Sequence, residues 1–235
     1  MKKLTVLFLS AVMLLSLAAC GNRTDDMGKE NKTPSQNNSE NTGNQSGFQE
    51  DSVNKNGKIL IAYFAEAENS EVDAVASPSI VTINGNTVGR MRALADMIQA
   101  KTGGDLFSIQ TSVDYPADIG ALIEYAADEQ ENNVRPELTS HIENLDNYDT
   151  IFIGYPNWWY DMPMVLYSFF DEYDFSGKTI IPFNSHNGSR FSSTIQTIQE
   201  LEPNATVITD GFTISERNVA DAEDDINEWL NGLEY

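Results

Sequence analysis

The sequence predicts an α/β protein in which a parallel β-sheet is covered by helices on both faces. Short apolar runs, most of them without the alternating polar residues of a half-exposed strand, alternate along the chain with segments whose apolar residues recur at helical spacing. Two adjacent tryptophans follow directly after one of these runs. Strands that alternate with helices are joined by right-handed crossovers, so the pattern implies a three-layer α/β/α architecture.

Five strands and five helices are expected in the folded part of the chain. The runs that predict strands lie at residues 59–64, 106–109, 151–155, 179–183 and 206–208. The helical apolar faces lie at residues 88–98, 119–126, 165–170, 191–201 and 222–230. Gly103 and Gly104 end the first helix, and Trp229 lies on the apolar face of the last helix, where we expect it to belong to the core.

Residues 1–19 have the features of a cleaved export signal. A basic start is followed by an apolar stretch too short to span a bilayer comfortably, and small residues precede Cys20. Residues 17–20 read L-A-A-C and resemble a bacterial lipobox, in which the cysteine is lipidated and becomes the new N-terminus. We therefore expect a lipid anchor at Cys20 on the extracytoplasmic side of the cell membrane. The alternative is an ordinary secretory signal with an incidental cysteine.

Residues 20–57 are predicted to form a lipidated, disordered tether. Their composition is dominated by Asn, Gln, Ser, Thr, Gly and charge, with almost no large apolar residues. A coil of this length has an end-to-end distance of about 30 to 35 Å, which lets a domain meet partners near the membrane. Residues 58–235 then form one domain with a sizeable core. Cys20 is the only cysteine of the chain, so this domain has no disulfide, thiol nucleophile or cysteine metal site.

The strong negative charge excludes nucleic acid as a natural partner. The formal net charge is -22, and removal of Lys2 and Lys3 with the signal makes it -24. Solubility is one explanation of this acidity. The other is electrostatic steering toward a redox partner protein with a basic docking face.

The segment after the third predicted strand carries two of the three tryptophans, Trp158 and Trp159. Pro163 suits the first turn of the next helix, so both indoles fall at the carboxyl end of a strand, where open α/β sheets bind ligands. Adjacent residues of an extended or looped segment point in different directions. At least one indole is therefore free to form the wall of a planar pocket, whereas a core Trp beside an exposed neighbour is the alternative.

The order and spacing of four segments resemble the flavodoxin family, and within it the exported, lipoprotein-type bacterial flavodoxins. These segments are I-L-I-A-Y-F at 59–64, T-G-G-D-L-F-S-I at 102–109, I-F-I-G-Y-P-N-W-W at 151–159 and I-I-P-F-N-S-H-N-G-S at 180–189. The resemblance implies a flavodoxin-like fold with a five-stranded parallel sheet of order 2-1-3-4-5. It also implies a non-covalent FMN whose ring lies between the loops after the third and fourth strands, with its phosphate on the first strand-to-helix loop.

Two loops are the expected walls of the ring site. The first wall consists of Tyr155, Pro156, Asn157, Trp158 and Trp159, where an indole can stack on the flavin. The second consists of Ser185, His186, Asn187, Gly188 and Ser189, which offer backbone freedom and polar groups for the pyrimidine edge. His186 is interpreted as an uncharged donor, as a cation beside the reduced flavin, or as a loop histidine that faces solvent.

The phosphate loop departs from the family pattern. A usual flavodoxin has a Ser/Thr-rich loop ending in Gly-Asn-Thr directly after its first strand, whereas residues 65–70 here read A-E-A-E-N-S. Gly-Asn-Thr occurs later, at 85–87, so an insertion would separate the strand from its phosphate turn, and Asn86 and Thr87 would bind the phosphate at a helix start. The alternative makes residues 81–85 one arm of a hairpin with an Asn-Gly turn, which would damage the phosphate site.

The sequence therefore favours a membrane-tethered FMN protein that acts in electron transfer. It contains no catalytic motif for a hydrolase, metalloprotease or P-loop enzyme, and no metal-ligand motif, so no catalytic residue is assigned. Two alternatives are an NAD(P)H-dependent FMN or quinone reductase, and a non-redox binding protein that has lost FMN. The acidic surface favours the carrier slightly, because it opposes a phosphorylated dinucleotide.

Overall fold

The computed structural model describes residues 57–70 and 79–234. The predicted signal, the predicted tether and Cys20 lie outside the described residues. Within the described ranges, no helix is both long and apolar enough to cross a bilayer.

Strands and helices alternate along the described chain. The strands are β1 (Ile59–Tyr63), β2 (Ile80–Ile83), β3 (Asn86–Gly89), β4 (Asp105–Ser108), β5 (Thr150–Pro156), β6 (Thr179–His186), β7 (Thr206–Val207) and β8 (Phe212–Ser215). The α-helices are α1 (Arg90–Thr102), α2 (Ile119–Glu131), α3 (Met164–Glu172), α4 (Thr194–Leu201) and α5 (Glu223–Gly232). Gly103 in the left-handed region follows α1, as the sequence predicts.

The main sheet is parallel and has the order β4-β1-β5-β6-β7, with β8 also paired to β6. With the β2–β3 hairpin left aside, this is the predicted order 2-1-3-4-5, and the flavodoxin-like α/β fold is confirmed. The fifth position is divided between two strands. β7 pairs with Thr179 and Ile180, whereas β8 pairs with the end of β6 from Phe183 to His186. The sequence analysis predicted only the first of these two strands.

Both faces of the sheet are buried. Along β5, the side chains of Ile151, Ile153 and Tyr155 belong to one hydrophobic cluster, while Phe152 belongs to the cluster on the other face. Trp229 of α5 packs edge-on against Phe152, with ring centroids 5.9 Å apart, so it borders the core as expected. The strands therefore read as continuous apolar runs because neither face meets water.

The hairpin formed by β2 and β3 contradicts one sequence prediction. Asn84 and Gly85 have φ angles of 51° and 83° and form the Asn-Gly turn, and Ile83 pairs with Asn86. Asn86 is exposed, and the Thr87 hydroxyl lies 3.0 Å from the Thr82 hydroxyl across the hairpin. The prediction that Asn86 and Thr87 open a helix is wrong, because strand pairing extends to Gly89 and α1 begins only at Arg90.

Candidate functional site

A cavity of about 770 Å³ lies at the carboxyl edge of the sheet. The segments after β1, β5 and β6 contribute to its lining, together with the first turn of α1 and one side of α2. This is the edge at which open α/β sheets bind ligands, and the volume is in the range of small-molecule sites.

Two neighbouring strands bring the predicted ring walls together. β5 and β6 end in register, with Pro156 opposite Ser185, and the Asn157 amide N–H donates to the Ser185 carbonyl at 2.8 Å. The Ser189 hydroxyl donates to the Asn157 side-chain oxygen at 2.9 Å, which ties the two loops to each other. Nine of the predicted residues line the cavity, namely Pro156, Asn157, Trp158, Trp159, Ser185, His186, Asn187, Gly188 and Ser189.

Tyr155 was predicted for the same wall, and the structure places it elsewhere. Its side chain is fully buried, and its hydroxyl donates to Thr194 Oγ1 at 2.7 Å. The hydroxyl of Thr194 donates in turn to the Phe191 carbonyl. Because side chains alternate along a strand, Tyr155 faces the α4 side of the core and does not line the cavity.

The two adjacent indoles have different environments. Trp158 is half-buried and makes edge-to-face contacts with Phe64 and Tyr115, at centroid distances of 5.7 and 5.4 Å. Trp159 is exposed, and its Nε1–H donates to the Ile123 carbonyl of α2 at 2.9 Å. Both still reach the cavity, so the pair offers one indole packed on the core and one at the mouth.

His186 lies in the cavity wall with a defined hydrogen bond. The Gly188 amide N–H donates to His186 Nδ1 at 2.8 Å, which makes Nδ1 an acceptor and leaves the ring proton on Nε2. Burial lowers the pKa of His186 below its usual value, and the charge of Arg190 lowers it further, against the opposing effect of Glu216. The geometry thus favours the uncharged donor among the interpretations of His186.

The end of the cavity at the first turn of α1 differs from the predicted phosphate site. Asn86 and Thr87 do not line the cavity, whereas Ser79, Arg90 and Met91 do. Arg90 Nη1 lies 3.5 Å from Glu216 Oε2, and the Arg90 amide donates to the Ser79 carbonyl at 2.7 Å. Among the described residues of the lining, Arg90 is the only lysine or arginine.

The start of α1 lies against the loop after β1. A Cβ atom at Gly89 would lie 3.2 Å from the Cβ of Ala65, so a side chain there would crowd that loop. Gly89 precedes the helix without any side-chain cap. The first-turn amides of α1 therefore have no capping oxygen from the helix-cap residue, and they adjoin the cavity. Glu66, which is fully buried, also lines this end.

The second carboxylate of this loop, Glu68, is held away from the cavity. It accepts hydrogen bonds from the hydroxyls of Tyr63 and Ser108 and lies 3.8 Å from Arg92. Glu68 is absent from the described cavity lining, so of the two acids in the loop after β1 only Glu66 borders the cavity.

The comparisons identify the family of the chain. A model of the flavodoxin family matches residues 78–233. The chain belongs to the flavodoxin family. A search of curated proteins finds no match.

Solved structures with this fold support the assignment. Crystal structures of candidate flavoproteins from Bacteroides eggerthii and Bacteroides uniformis are 25% and 26% identical to this chain, with TM-scores of 0.58 and 0.57. The alignments cover 77% and 74% of this chain and 99% and 98% of those proteins. A flavoprotein from Lactobacillus acidophilus in complex with FMN is 18% identical with a TM-score of 0.52, over 74% of this chain and 99% of that one, which shows a shared fold.

Several lining residues of this flavodoxin-family domain were missed by the sequence analysis. Ile119 and Ile123 were assigned only to an apolar helix face, yet both are exposed and line the cavity mouth. Tyr160 and Arg90 were not singled out. The signal for Arg90 was its position directly after a glycine at the start of a strong helical pattern. The signal for Tyr160 was its position directly after the two tryptophans, which makes three consecutive aromatic residues.

Proposed function

We propose that the protein binds FMN non-covalently in this cavity and acts in electron transfer. The observation that carries the proposal is the polarity of the cavity. A helix N-terminus with Arg90, paired tryptophans and polar loop groups all line the same cavity. A ligand with a dianion at one end and a planar ring at the other fits this arrangement.

The first turn of α1 would hold the phosphate. The Arg90 amide already donates to the Ser79 carbonyl, so the helix dipole and the guanidinium of Arg90, a charge-assisted donor, are the groups that favour an anion. Glu216 pairs with Arg90 at 3.5 Å and competes for it. Glu66 opposes the dianion through its carboxylate charge, so we expect weaker FMN binding than a Ser/Thr-rich loop would give.

The loops after β5 and β6 would hold the ring. Trp158 and Trp159 supply apolar walls, and Asn157, Ser185 and Ser189 supply polar groups between them. His186 keeps a proton on Nε2 and can donate it as a hydrogen bond without carrying a charge. When bound, FMN supplies one- and two-electron transfer chemistry, which the protein tunes through these contacts.

We place this activity at the outer side of the cell membrane, where a lipid on Cys20 would tether the domain. The supporting observations are the lipobox-like sequence and the net charge of -22, which suits a redox partner with a basic docking face. The two carboxylates at the phosphate end, Glu66 and Glu216, favour the alternative of a protein that has lost FMN. A carrier is preferred to an NAD(P)H-dependent reductase, because Arg90 is the sole cationic side chain of the described lining.

The decisive experiment compares FMN with riboflavin, which lacks the phosphate. Titration calorimetry of the mature protein and of Arg90→Gln should show FMN affinity lowered about 10- to 100-fold and riboflavin affinity unchanged, as expected for loss of a charge-assisted hydrogen bond. Arg217→Gln is the matched control, since Arg217 is an exposed arginine beside Glu216 that does not line the cavity. If the wild-type protein binds neither FMN nor riboflavin, the proposed function is wrong and the non-redox alternative is supported. Equal losses of affinity for FMN and riboflavin in Arg90→Gln would show that the phosphate does not bind at the start of α1.

A further inference from the structure

The loop after β6 contains an asparagine followed by a glycine, a pair that is prone to deamidation. Asn187 and Gly188 follow His186, the last residue of β6, and both are exposed. Gly188 has a φ angle of 109°, and because it lacks a Cβ atom its backbone nitrogen is open to the preceding side chain. In this dipeptide the glycine nitrogen attacks the asparagine side chain more readily than in other sequences.

The side chain of Asn187 is not held by its surroundings. Asn157 of the opposite wall donates to the Arg190 carbonyl at 3.1 Å and accepts from the Ser189 hydroxyl at 2.9 Å. Asn184, earlier in β6, is fully buried and donates to the same carbonyl at 3.0 Å. Asn187, in contrast, makes no hydrogen bond to any other residue that the structure describes. Its side-chain carbonyl is therefore accessible to a nucleophile.

A basic nitrogen lies at the amide of Gly188. The distance from Gly188 N to His186 Nδ1 is 2.8 Å, which is within the reach that a general base needs of the proton it removes. Burial lowers the pKa of His186 below its usual value, and the charge of Arg190 lowers it further, while Glu216 opposes the change. The imidazole is therefore uncharged near neutral pH, and Nδ1 can accept a proton.

We propose that Asn187 is a modification site, at which His186 assists the conversion of the asparagine to aspartate or isoaspartate. His186 Nδ1 takes the proton of the Gly188 amide, and the amide nitrogen attacks the side-chain carbonyl carbon of Asn187 to close a succinimide ring. The C–N bond of the side-chain amide breaks, and ammonia leaves with the proton from His186. Water then opens the succinimide to aspartate or isoaspartate, and no atom is oxidised or reduced.

The product changes the charge of the cavity lining. Asn187 lines the cavity together with the acids Glu66 and Glu216. Conversion replaces a neutral amide by a carboxylate, so an anionic ligand meets one more like charge. The isoaspartate form also lengthens the backbone before Gly188 by one methylene group. The chemistry itself does not depend on which ligand the cavity binds.

The turn at Asn84 and Gly85 provides a comparison within the same chain. It has the same dipeptide, both residues are exposed, and the φ angle of Gly85 is 83°. Among the described residues, no acceptor is bonded to the Gly85 amide. Deamidation at Asn84 therefore depends on hydroxide, and its rate should rise about 10-fold for each pH unit. At Asn187 the base is His186, so the rate should rise far less once the imidazole is uncharged.

Peptide mapping by mass spectrometry tests the proposal on the full mature protein, incubated at neutral pH without added FMN. We expect faster deamidation at Asn187 than at Asn84. His186→Asn should slow the reaction at Asn187 about 10-fold or more and leave Asn84 within about twofold, because an asparagine oxygen can accept the Gly188 amide but is not a base. His141→Asn is the matched control, since His141 is exposed and its Nδ1 is bonded to Glu172.

The pH profile of the wild-type protein gives a second readout, which does not need a variant that folds. Between about pH 7 and 8, the rate at Asn187 should change less than about twofold while the rate at Asn84 rises about 10-fold. The proposal is overturned if Asn187 stays unmodified, if the two sites share one pH profile, or if a folded His186→Asn protein deamidates at the wild-type rate. If His186→Asn unfolds, its rate at Asn84 will change as well, and the wild-type profile decides.

Discussion

Glu129, a buried acid of α2, allows a quantitative prediction about the aromatic wall of the site. Its side chain is 4% exposed, and its carboxylate accepts a hydrogen bond from the Tyr115 hydroxyl at 3.3 Å. Burial raises the pKa of Glu129 from 4.5 to about 7, although the hydrogen bond from Tyr115 opposes the rise. The ring of Tyr115 packs edge-on against Trp158, so this carboxylate supports a wall of the cavity.

The sign of the effect follows from linkage between protonation and folding. The pKa is higher in the folded than in the unfolded state, so the folded protein keeps a proton that the unfolded chain releases. The contribution of Glu129 to stability is fully present below pH 4.5 and is lost as the pH rises to about 7. At about 1.4 kcal/mol for each pH unit, the loss is up to about 3 kcal/mol above pH 7.

Glu129→Gln tests this expectation, because an amide stays neutral and its oxygen can still accept the Tyr115 hydroxyl. Urea unfolding should show little difference from wild type at pH 4 and a stabilisation of up to about 3 kcal/mol at pH 8. Glu131→Gln is the control, as Glu131 is an exposed acid at the end of the same helix. An equal change at both pH values, or destabilisation at pH 8, would refute the reasoning.

Three further outcomes are expected. Gly154→Ala should destabilise the domain by about 1 to 3 kcal/mol, because a Cβ there would lie 2.1 Å from the buried ring of Phe183, and an unchanged urea midpoint would contradict this. Tyr160→Gly should stabilise by about 1 to 2 kcal/mol through relief of its left-handed backbone, measured by urea unfolding; a loss of stability would show that the ring supports the fold. Cys20→Ser should abolish detergent-phase partitioning if the protein is a lipoprotein, and identical partitioning of wild type would dismiss the anchor.

The layered fold was predictable because its signals are local and repeated. In runs such as residues 151–155, odd- and even-numbered positions are both apolar, and in the structure both faces of the sheet are buried. β8 was missed because the other strands were predicted from continuous apolar runs, whereas its sequence F-T-I-S alternates apolar and polar residues. β8 pairs with β6, beyond the short β7. The pairing of β8 with β6 is a long-range contact, and the sequence of the four residues does not predict it.

The two loops expected to form the ring walls line the cavity, with the exception of one predicted residue. Sequence analysis placed the 156–159 and 185–189 segments at strand ends, and the register of β5 and β6 brings those ends side by side. Tyr155 does not line the cavity because the alternation of side chains along β5 directs it to the core.

The start of α1 was not predictable because two local signals compete for the same residues. Gly-Asn-Thr before an apolar helical pattern is typical of a phosphate-binding helix start, while Asn-Gly between β-branched residues is typical of a hairpin. The pairing of Val81 with Val88 and of Thr82 with Thr87 decides for the hairpin. That choice moves the helix start to Arg90, whose side chain lines the cavity. Under the proposed function, the anion-binding group at this end of the cavity is a side chain whose charge Glu216 can neutralise, and the preference for FMN over riboflavin would depend on that one ion pair.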